Sequence, residues 1–246
     1  MNQIQSVHNK LIKIITTLQS KKGREEQNQF LAEGIRTCQT LLDSPLQFIN
    51  LYTTEKMFSE AKKIADEKYI IVVSDAVMKK LSPSTTPSGV LGVFAIPAKK
   101  IPSVLKAGLV LAHVSDPGNM GTLIRSAIAF GFPQIIIVEG CDPWSPKAIQ
   151  ATAGTIGFAE IVHLTWSDLK NHQQRPPLAA LVPTGGIAIN QISKNILLIV
   201  GNEAHGIPAP WLKECVYLIT LPMPGKIESL NAAIAGSIAL YLSISQ

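Results

Sequence analysis

From residue 109 onward the chain repeats one pattern: a short apolar run, then a helically spaced segment or polar loop, then another apolar run. The runs lie at Leu109 to Val114, Gln134 to Val138, Glu160 to Leu164, Ala179 to Pro183, Ile196 to Gly201 and Val216 to Leu221. A strand that reads as a continuous apolar run, rather than as an alternation, is buried on both faces. Such strands separated by helices predict a parallel sheet covered on both sides, an α/β domain. Sheets of this kind take ligands at the carboxyl ends of their strands. Three polar, glycine-bearing segments fall there: DPGNMG after the first run, GNEAHG after the fifth and PMPGKIESLN after the sixth.

The last of these leads into the C-terminal segment. Pro222, Pro224 and Gly225 forbid regular structure, so a loop must form. Leu230, Ile234, Ile238 and Tyr241 then recur at helical spacing, which predicts a helix from Ser229 to Leu242 with Ser229 as its N-cap. Ala232, Ala233, Ala235, Gly236 and Ser237 make its flanks small enough for close backbone approach.

The first part of the chain reads as a smaller α/β unit. Asn9 to Leu18 has helical spacing, and the charged run Gln19 to Gln29 reads as an exposed loop. FLAEG (Phe30 to Gly34) reads as a strand entering a helix. Further strands are expected near Phe48 to Tyr52, Tyr69 to Val73 and Gly89 to Ile96, with helices near Glu55 to Asp66 and Ala76 to Leu81 and a loop at Ser82 to Ser88. Pro97 to Pro102 is polar and proline-flanked, which sets the expected domains at 1–96 and 107–246 with a linker at 97–106.

Charge separates the two parts. Residues 1–106 hold fifteen Lys and Arg against nine Asp and Glu, a net +6, whereas residues 107–246 hold seven against eight, a net −1. A basic first part suits a phosphate-backbone partner, although a charged face is also commonly just solvated. The apolar runs stop far short of the ~20 residues a membrane span needs, and the N-terminus lacks an apolar signal core. A cytoplasmic protein with no membrane partner is expected. Cys38, Cys141 and Cys215 are odd in number and widely spaced, so neither a disulfide framework nor a zinc site is expected, and they read as buried small hydrophobes. The five histidines show no metal spacing.

Neither GxGxxG after the first strand nor GxxxxGK followed by Ser or Thr is present, which removes the main support for a nicotinamide dehydrogenase or a phosphate-gripping ATPase. Asn119, Gly121 and Arg125 stand there instead, with Arg125 inside an otherwise apolar helix, where it either snorkels to water or faces something polar.

Together, NxGxxxR (Asn119, Gly121, Arg125), GxExxG (Gly201, Glu203, Gly206) and PMxGxxxSLN (Pro222, Met223, Gly225, Ser229, Leu230, Asn231) closely resemble, in that order, the three motifs of the SpoU or TrmH family of RNA ribose 2'-O-methyltransferases. FLAEG and TTPSGVLGV (Thr85 to Val93) look like the small N-terminal substrate-binding domain of its ribosomal-RNA members, so the resemblance covers the whole chain. Ser126 follows the arginine where threonine is more usual.

The resemblance implies an α/β fold whose C-terminal parallel-sheet domain carries a deep trefoil knot, an exception to the rule against knotted chains. It implies S-adenosylmethionine as cofactor, lined by Thr184, Gly185, Gly186, Gly201, Leu221, Met223 and Leu230, largely through backbone atoms. It implies a homodimer with the final helix in the interface, and RNA bound through the basic N-terminal domain. The catalytic set would be Arg125, Asn119, Glu203, Ser229 and Asn231. Methyl transfer from a sulfonium to a hydroxyl annihilates charge, so a dry pocket favours it and no metal is required. Arg125 would grip the phosphate beside the reacting ribose and stabilise the developing alkoxide, acting as a base only if desolvated. Asn119 and Ser229 would orient Arg125 and substrate, Glu203 would position Asn231 or the partner chain, and Asn231 would hold the loop or the ribose. The N-terminal domain favours large-subunit ribosomal RNA. Transfer RNA, or a non-catalytic RNA-binding or ribosome-assembly role, stand as alternatives.

Overall fold

The structure is a computed structural model that describes residues 2–225 and 230–244, without the side chains of Asn2 and Gln191. The chain forms two compact units. One runs to Ala98 and includes Asp142–Gly157; the other comprises Lys99–Cys141 and the chain from Phe158 onward.

The first unit contains β1 (Asn2–Ile4), α1 (Lys10–Thr17), α2 (Lys21–Gln27), β2 (Gln29–Glu33), α3 (Ile35–Leu42), β3 (Phe48–Thr54), α4 (Phe58–Ile64), β4 (Ile70–Val73), α5 (Asp75–Leu81) and β5 (Val90–Ala95). Its strands are ordered β1-β4-β3-β5-β2. The first three run parallel, and β5 is antiparallel to both β3 and β2. Ile12 and Ile15 of α1 and Leu18 just after it pack with Val77, Met78 and Leu81 of α5 against Leu31, Tyr52 and Leu91 of the sheet.

Two features of this unit depart from expectation. The run Gln19 to Gln29, expected as a loop, contains α2. Ser20 Oγ accepts from Gly23 N–H at 3.1 Å and caps it, and Lys21–Glu25 and Lys22–Glu26 pair along its exposed side. The short apolar-poor helix is anchored by one buried cation: Arg24 donates to Asp142 at 2.6 Å and to the carbonyls of Leu18 and Gln19. The second departure is the segment that supplies Asp142. Helix α7 (Pro146–Thr152) lies within the sequence of the parallel-sheet region but packs against the edge strand β2, with Trp144 5.0 Å from Phe30 between ring centres.

The second unit contains β6 (Gly108–Ala112), α6 (Pro117–Ala129), β7 (Gln134–Val138), β8 (Glu160–His163), α8 (Trp166–Asn171), β9 (Leu178–Leu181), β10 (Leu197–Val200), α9 (Ala209–Leu212), β11 (Tyr217–Ile219) and α10 (Ala232–Ile244). Its strands are ordered β11-β9-β10-β6-β7-β8 and every pairing is parallel. All residues of β6, β7 and β10 are buried, which is why, apart from Gln134, they read as unbroken apolar runs.

The two faces of this sheet are covered differently. Val110, Ala112, Leu197 and Ile199 cluster with Trp166, Leu169 and Trp211 from the side of α8 and α9. Since side chains alternate along a strand, Val200 points the other way, where a Cβ on Gly236 would lie 2.9 Å from Val200 and 2.5 Å from Leu123. Small residues on α10 thus let it press on α6 and β10, and Ser126 Oγ meets Ser237 Oγ at 2.7 Å across that contact.

After β9 the chain lies against β11. Ile187 N–H donates to Leu218 O at 2.9 Å, Thr220 N–H to Ile187 O at 3.0 Å and Gly186 N–H to Thr220 Oγ1 at 2.8 Å. A Cβ on Gly186 would stand 2.7 Å from Leu218 O, so the crossing demands glycine.

Candidate active site

The carboxyl end of β6 leads directly into α6, whose start is set by local chemistry. Asp116 Oδ1 accepts from Asn119 N–H at 2.9 Å, and Pro117 follows at the first helical position. The N-cap is therefore Asp116, which leaves the Asn119 side chain free for other work. After β10, Asn202 and Gly206 exchange backbone hydrogen bonds at 3.0 and 2.9 Å, closing a tight turn with Glu203 at its tip. A Cβ on Gly201 would lie 2.5 Å from the Gly206 carbonyl carbon, so this turn sits on the strand end with no room for a side chain beneath it.

The Glu203 carboxylate gathers five donors. Oε2 accepts from Ser115 N–H at 3.3 Å, Ser115 Oγ–H at 3.0 Å and Asn202 Nδ2 at 3.4 Å; Oε1 accepts from Asp116 N–H at 3.3 Å and Asn119 Nδ2 at 3.0 Å. Burial alone would raise its pKa, but the hydrogen bonds from Asn119, the backbone and Ser115 outweigh that and hold it below the usual carboxylate range. Glu203 is thus an anion, able only to accept.

That charge fixes the polarity of the two asparagine amides that connect it to α10. Asn119 presents its amide nitrogen to Glu203 and its Oδ1 to Asn231 Nδ2 at 3.1 Å, while Asn231 Oδ1 accepts from Ala233 N–H at 2.9 Å and Ile234 N–H at 3.2 Å. The two ends of this relay, backbone donors at the start of α10 and an acceptor-only carboxylate, permit only this orientation of the two amides. One continuous chain of hydrogen bonds therefore links GxExxG, NxGxxxR and SLN.

Beside it lies a cleft of about 420 Å³, bounded by Leu181 and Pro183 at the end of β9, Val200 and Gly201 at the end of β10, the turn from Asn202 to Gly206, and Leu221, Met223 and Leu230. Its volume suits a nucleoside-sized ligand. The apolar side chains and the strand ends around it fit an adenosyl group, held by backbone atoms and stacked on aliphatic surface.

Not every expected residue gathers here. Gly201, Leu221, Met223 and Leu230 line the cleft, whereas Thr184, Gly185 and Gly186 do not; Gly186 instead makes the crossing against β11. Glu203 reaches Asn231 only through Asn119. The α10 N-cap expected at Ser229 lies outside the described residues, and the described helix begins at Ala232 with Asn231 accepting from its first N–H groups. Arg125 is exposed on α6, makes no hydrogen bond or ion pair among the described residues, and does not line the cleft. It follows Asn119 by six residues, about 9 Å along the helix.

Three contributors were missed in the sequence: Ser115, Asp116 and Asn202. The Asp-Pro pair before a helix was a readable capping signal; the other two had none. Of the cysteines, Cys38 is buried as expected, but Cys141 and Cys215 are only partly so. Among the described residues no group of three or more His, Cys, Asp or Glu could hold a metal ion, and no helix is long and apolar enough to cross a membrane.

Comparison with known proteins agrees with this arrangement. Residues 106–241 match the model of the SpoU rRNA Methylase family and residues 9–92 that of the MRM3-like substrate binding domain. An uncharacterized tRNA/rRNA methyltransferase of Synechocystis is 31% identical over 97% of this chain and 92% of its own length. The 23S rRNA (guanosine(2553)-2'-O)-methyltransferase RlmP of Bacillus subtilis is 29% identical over 98% of both. The AdoMet-bound rRNA methyltransferase of Sinorhizobium meliloti superposes with a TM-score of 0.84 at 29% identity, covering 99% of this chain and 97% of that one. The α/β fold expected above, a trefoil-knotted parallel-sheet domain preceded by a small α/β domain, is thus the fold of this chain. With its three motifs joined in one hydrogen-bonded relay beside the cleft, the chain belongs to the SpoU methyltransferase family.

Proposed function

We propose that this protein transfers the methyl group of S-adenosylmethionine to a ribose 2'-hydroxyl of large-subunit ribosomal RNA, acting as a homodimer in the cytoplasm. The observation that carries the reading is the relay from Glu203 through Asn119 to Asn231 at the rim of the cleft. S-adenosylmethionine supplies an electrophilic methyl group and leaves as a neutral thioether.

The residues of the chain do the rest. The cleft walls at Leu181, Val200 and Leu221 exclude water from a reaction in which charge disappears. The relay holds Asn119 and Asn231 rigid, so substrate contacts on their remaining donor and acceptor sites incur no reorganisation cost. Arg125 offers a planar fork to the phosphate beside the reacting ribose, and its positive charge offsets the negative charge that builds on the 2'-oxygen as the hydroxyl proton passes to solvent water. Ser229 would help orient that phosphate.

The homodimer rests on α10 and on Leu230, two residues before it. Leu230, Ile234, Ile238, Tyr241 and Ile244 recur at three- and four-residue spacing and are 39–53% exposed in the single chain. A contiguous apolar stripe of this kind is covered in a stable protein, and a second copy would bring its surface over the solvent side of α6, where Arg125 stands.

The test is transfer of isotope-labelled methyl from S-adenosylmethionine to a 23S rRNA transcript, with the product mapped by resistance of the modified linkage to alkaline cleavage. Incorporation into ribose is expected. Binding of the transcript without transfer would support an RNA-binding protein that kept the fold. Arg125→Lys is expected to lower kcat about a hundredfold while leaving cofactor affinity unchanged, as lysine cannot make the two-pronged contact. Near wild-type turnover would refute that role.

A further inference from the structure

In the first unit, Glu33 ends β2 at the same end of the sheet as Thr54 of β3 and the start of β5, since Glu33 pairs with Leu91 and Thr53 with Val90. Its side chain is 8% exposed. One carboxylate oxygen accepts from Ser82 Oγ–H and Ser84 Oγ–H, each at 2.8 Å, and the other from Ser88 N–H at 2.8 Å. No Lys or Arg pairs with it among the described residues. A dry carboxylate held by neutral donors alone is a costly arrangement, and here it supports a surface loop, 82–88.

Both ends of that loop are fixed as well. Gln19 Nε2 donates to the carbonyls of Lys80 and Leu81 at 3.0 and 2.9 Å. At the far end Gly89 O accepts from Thr54 N–H at 3.0 Å and Thr53 Oγ1–H at 3.3 Å. Gly89 has φ +83°, and a Cβ there would lie 2.8 Å from Met57 Cγ, so the backbone admits no other residue cheaply.

What the loop presents is chemically narrow. Thr85 and Thr86 are exposed and their hydroxyls make no hydrogen bond among the described residues. Arg36, in the first turn of α3 just after Glu33 and Gly34, is exposed and unpaired among them, as is Lys56 just after β3. Glu55 and Asp75 stand at the same end and keep its net charge small, and no exposed large apolar side chain lies in the loop. Free hydroxyls beside an unpaired guanidinium, with no apolar anchor, match the contacts made to nucleic-acid phosphate and sugar rather than those of a protein interface.

We propose that the loop 82–88, braced from beneath by Glu33 and flanked by Arg36, is where the first unit grips the RNA backbone. The inference rests on the RNA substrate proposed above. Arg36 and the two threonines touch the RNA; Glu33 is a positioning residue.

The experiment uses the full chain, a 23S rRNA transcript and binding measured over a series of salt concentrations. Arg36→Ala is expected to weaken binding about tenfold and to lower the slope of log affinity against log salt by roughly one phosphate contact. Thr85→Ala with Thr86→Ala should weaken binding at unchanged Tm and unchanged salt slope. Glu33→Leu should raise KM for RNA about tenfold with kcat and cofactor affinity kept. Glu33→Gln should restore affinity, because its oxygen still accepts from Ser88 N–H and its amide can donate to the serine hydroxyls. If the wild-type chain binds and methylates the transcript while Arg36→Ala and the double threonine variant match its affinity and slope, the loop is not the grip and the enzymatic reading stands. If the wild-type chain neither binds nor methylates it, both readings fall together.

Discussion

Two glutamates, each just beyond or at the carboxyl end of a strand and neither paired with a cation among the described residues, hold the two working surfaces of this molecule in different ways. Glu33 in the first unit is buried and takes three donors, two of them serine hydroxyls. Glu203 in the second is exposed and takes five, of which two are backbone N–H groups and two are asparagine amides. A hydroxyl can rotate and become an acceptor, whereas a backbone N–H cannot. The Asn119 amide is equally committed, because turning it would turn Asn231 away from the start of α10. Bracing by Glu33 thus depends on shape and filled hydrogen-bond positions, and bracing by Glu203 on charge.

The sharpest way to break that contrast is to make the same substitution at both positions. Glu203→Gln places an amide NH2 against donors that cannot reverse, so kcat should fall about a hundredfold, comparable to loss of one preorganised polar contact in an active site. Its Tm should move little, because the position is solvated and water can fill unmet bonds. Glu33→Gln should leave kcat unchanged. Steady-state methyl transfer on both variants decides it, and equal losses at the two sites would erase the distinction.

A smaller effect separates burial from exposure. Glu33→Leu leaves two hydroxyls and the Ser88 N–H without their acceptor in a largely dry setting, which should lower stability by about 2 kcal/mol. Glu203→Leu, with its donors open to water, should cost well under half of that. Denaturant unfolding monitored separately for each unit would measure both.

How far these surfaces were readable in the sequence depends on the same division. The strands β6 to β11 lie within a residue or two of the apolar runs, and the signature is clearest in β6, β7 and β10, which are buried on both faces. Residues of the three motifs were visible as types at spacings. The polarity of the relay was not, since it depends on which atom of each amide faces which neighbour, and spacing is silent on that. Helix α2 was hidden because its stability comes from a cap and from Arg24 meeting Asp142, 118 residues away, rather than from an apolar stripe. By sequence position helix α7 belongs to the parallel-sheet region; the Arg24–Asp142 pair, the contact of Trp144 with Phe30 and the packing on β2 reveal that it completes the first unit. The glycines at 185 and 186 were expected beside the cofactor, but at Gly186 the demand for glycine comes from a backbone crossing.

The smallest expected effect concerns acid. The hydrogen bonds to Glu203 hold its pKa below the ordinary carboxylate range against the opposing influence of burial. A carboxylate depressed in the folded state contributes stability that is fully present above its unfolded pKa and is lost as pH falls through the folded value. From neutrality down to about pH 5 the relay should therefore keep its polarity, and methyl transfer should show no step attributable to this group. Below that range protonation would convert one acceptor into a donor facing Asn119 or Ser115, and wild-type turnover should decline toward that of Glu203→Gln, whose own profile should lack this limb. The comparison needs only pH-rate profiles of the two proteins over a range in which both remain folded. A wild-type acid limb centred above pH 6 and absent from Glu203→Gln would mean that Glu203 is not held as an anion, and that charge is not what separates its bracing from that of Glu33.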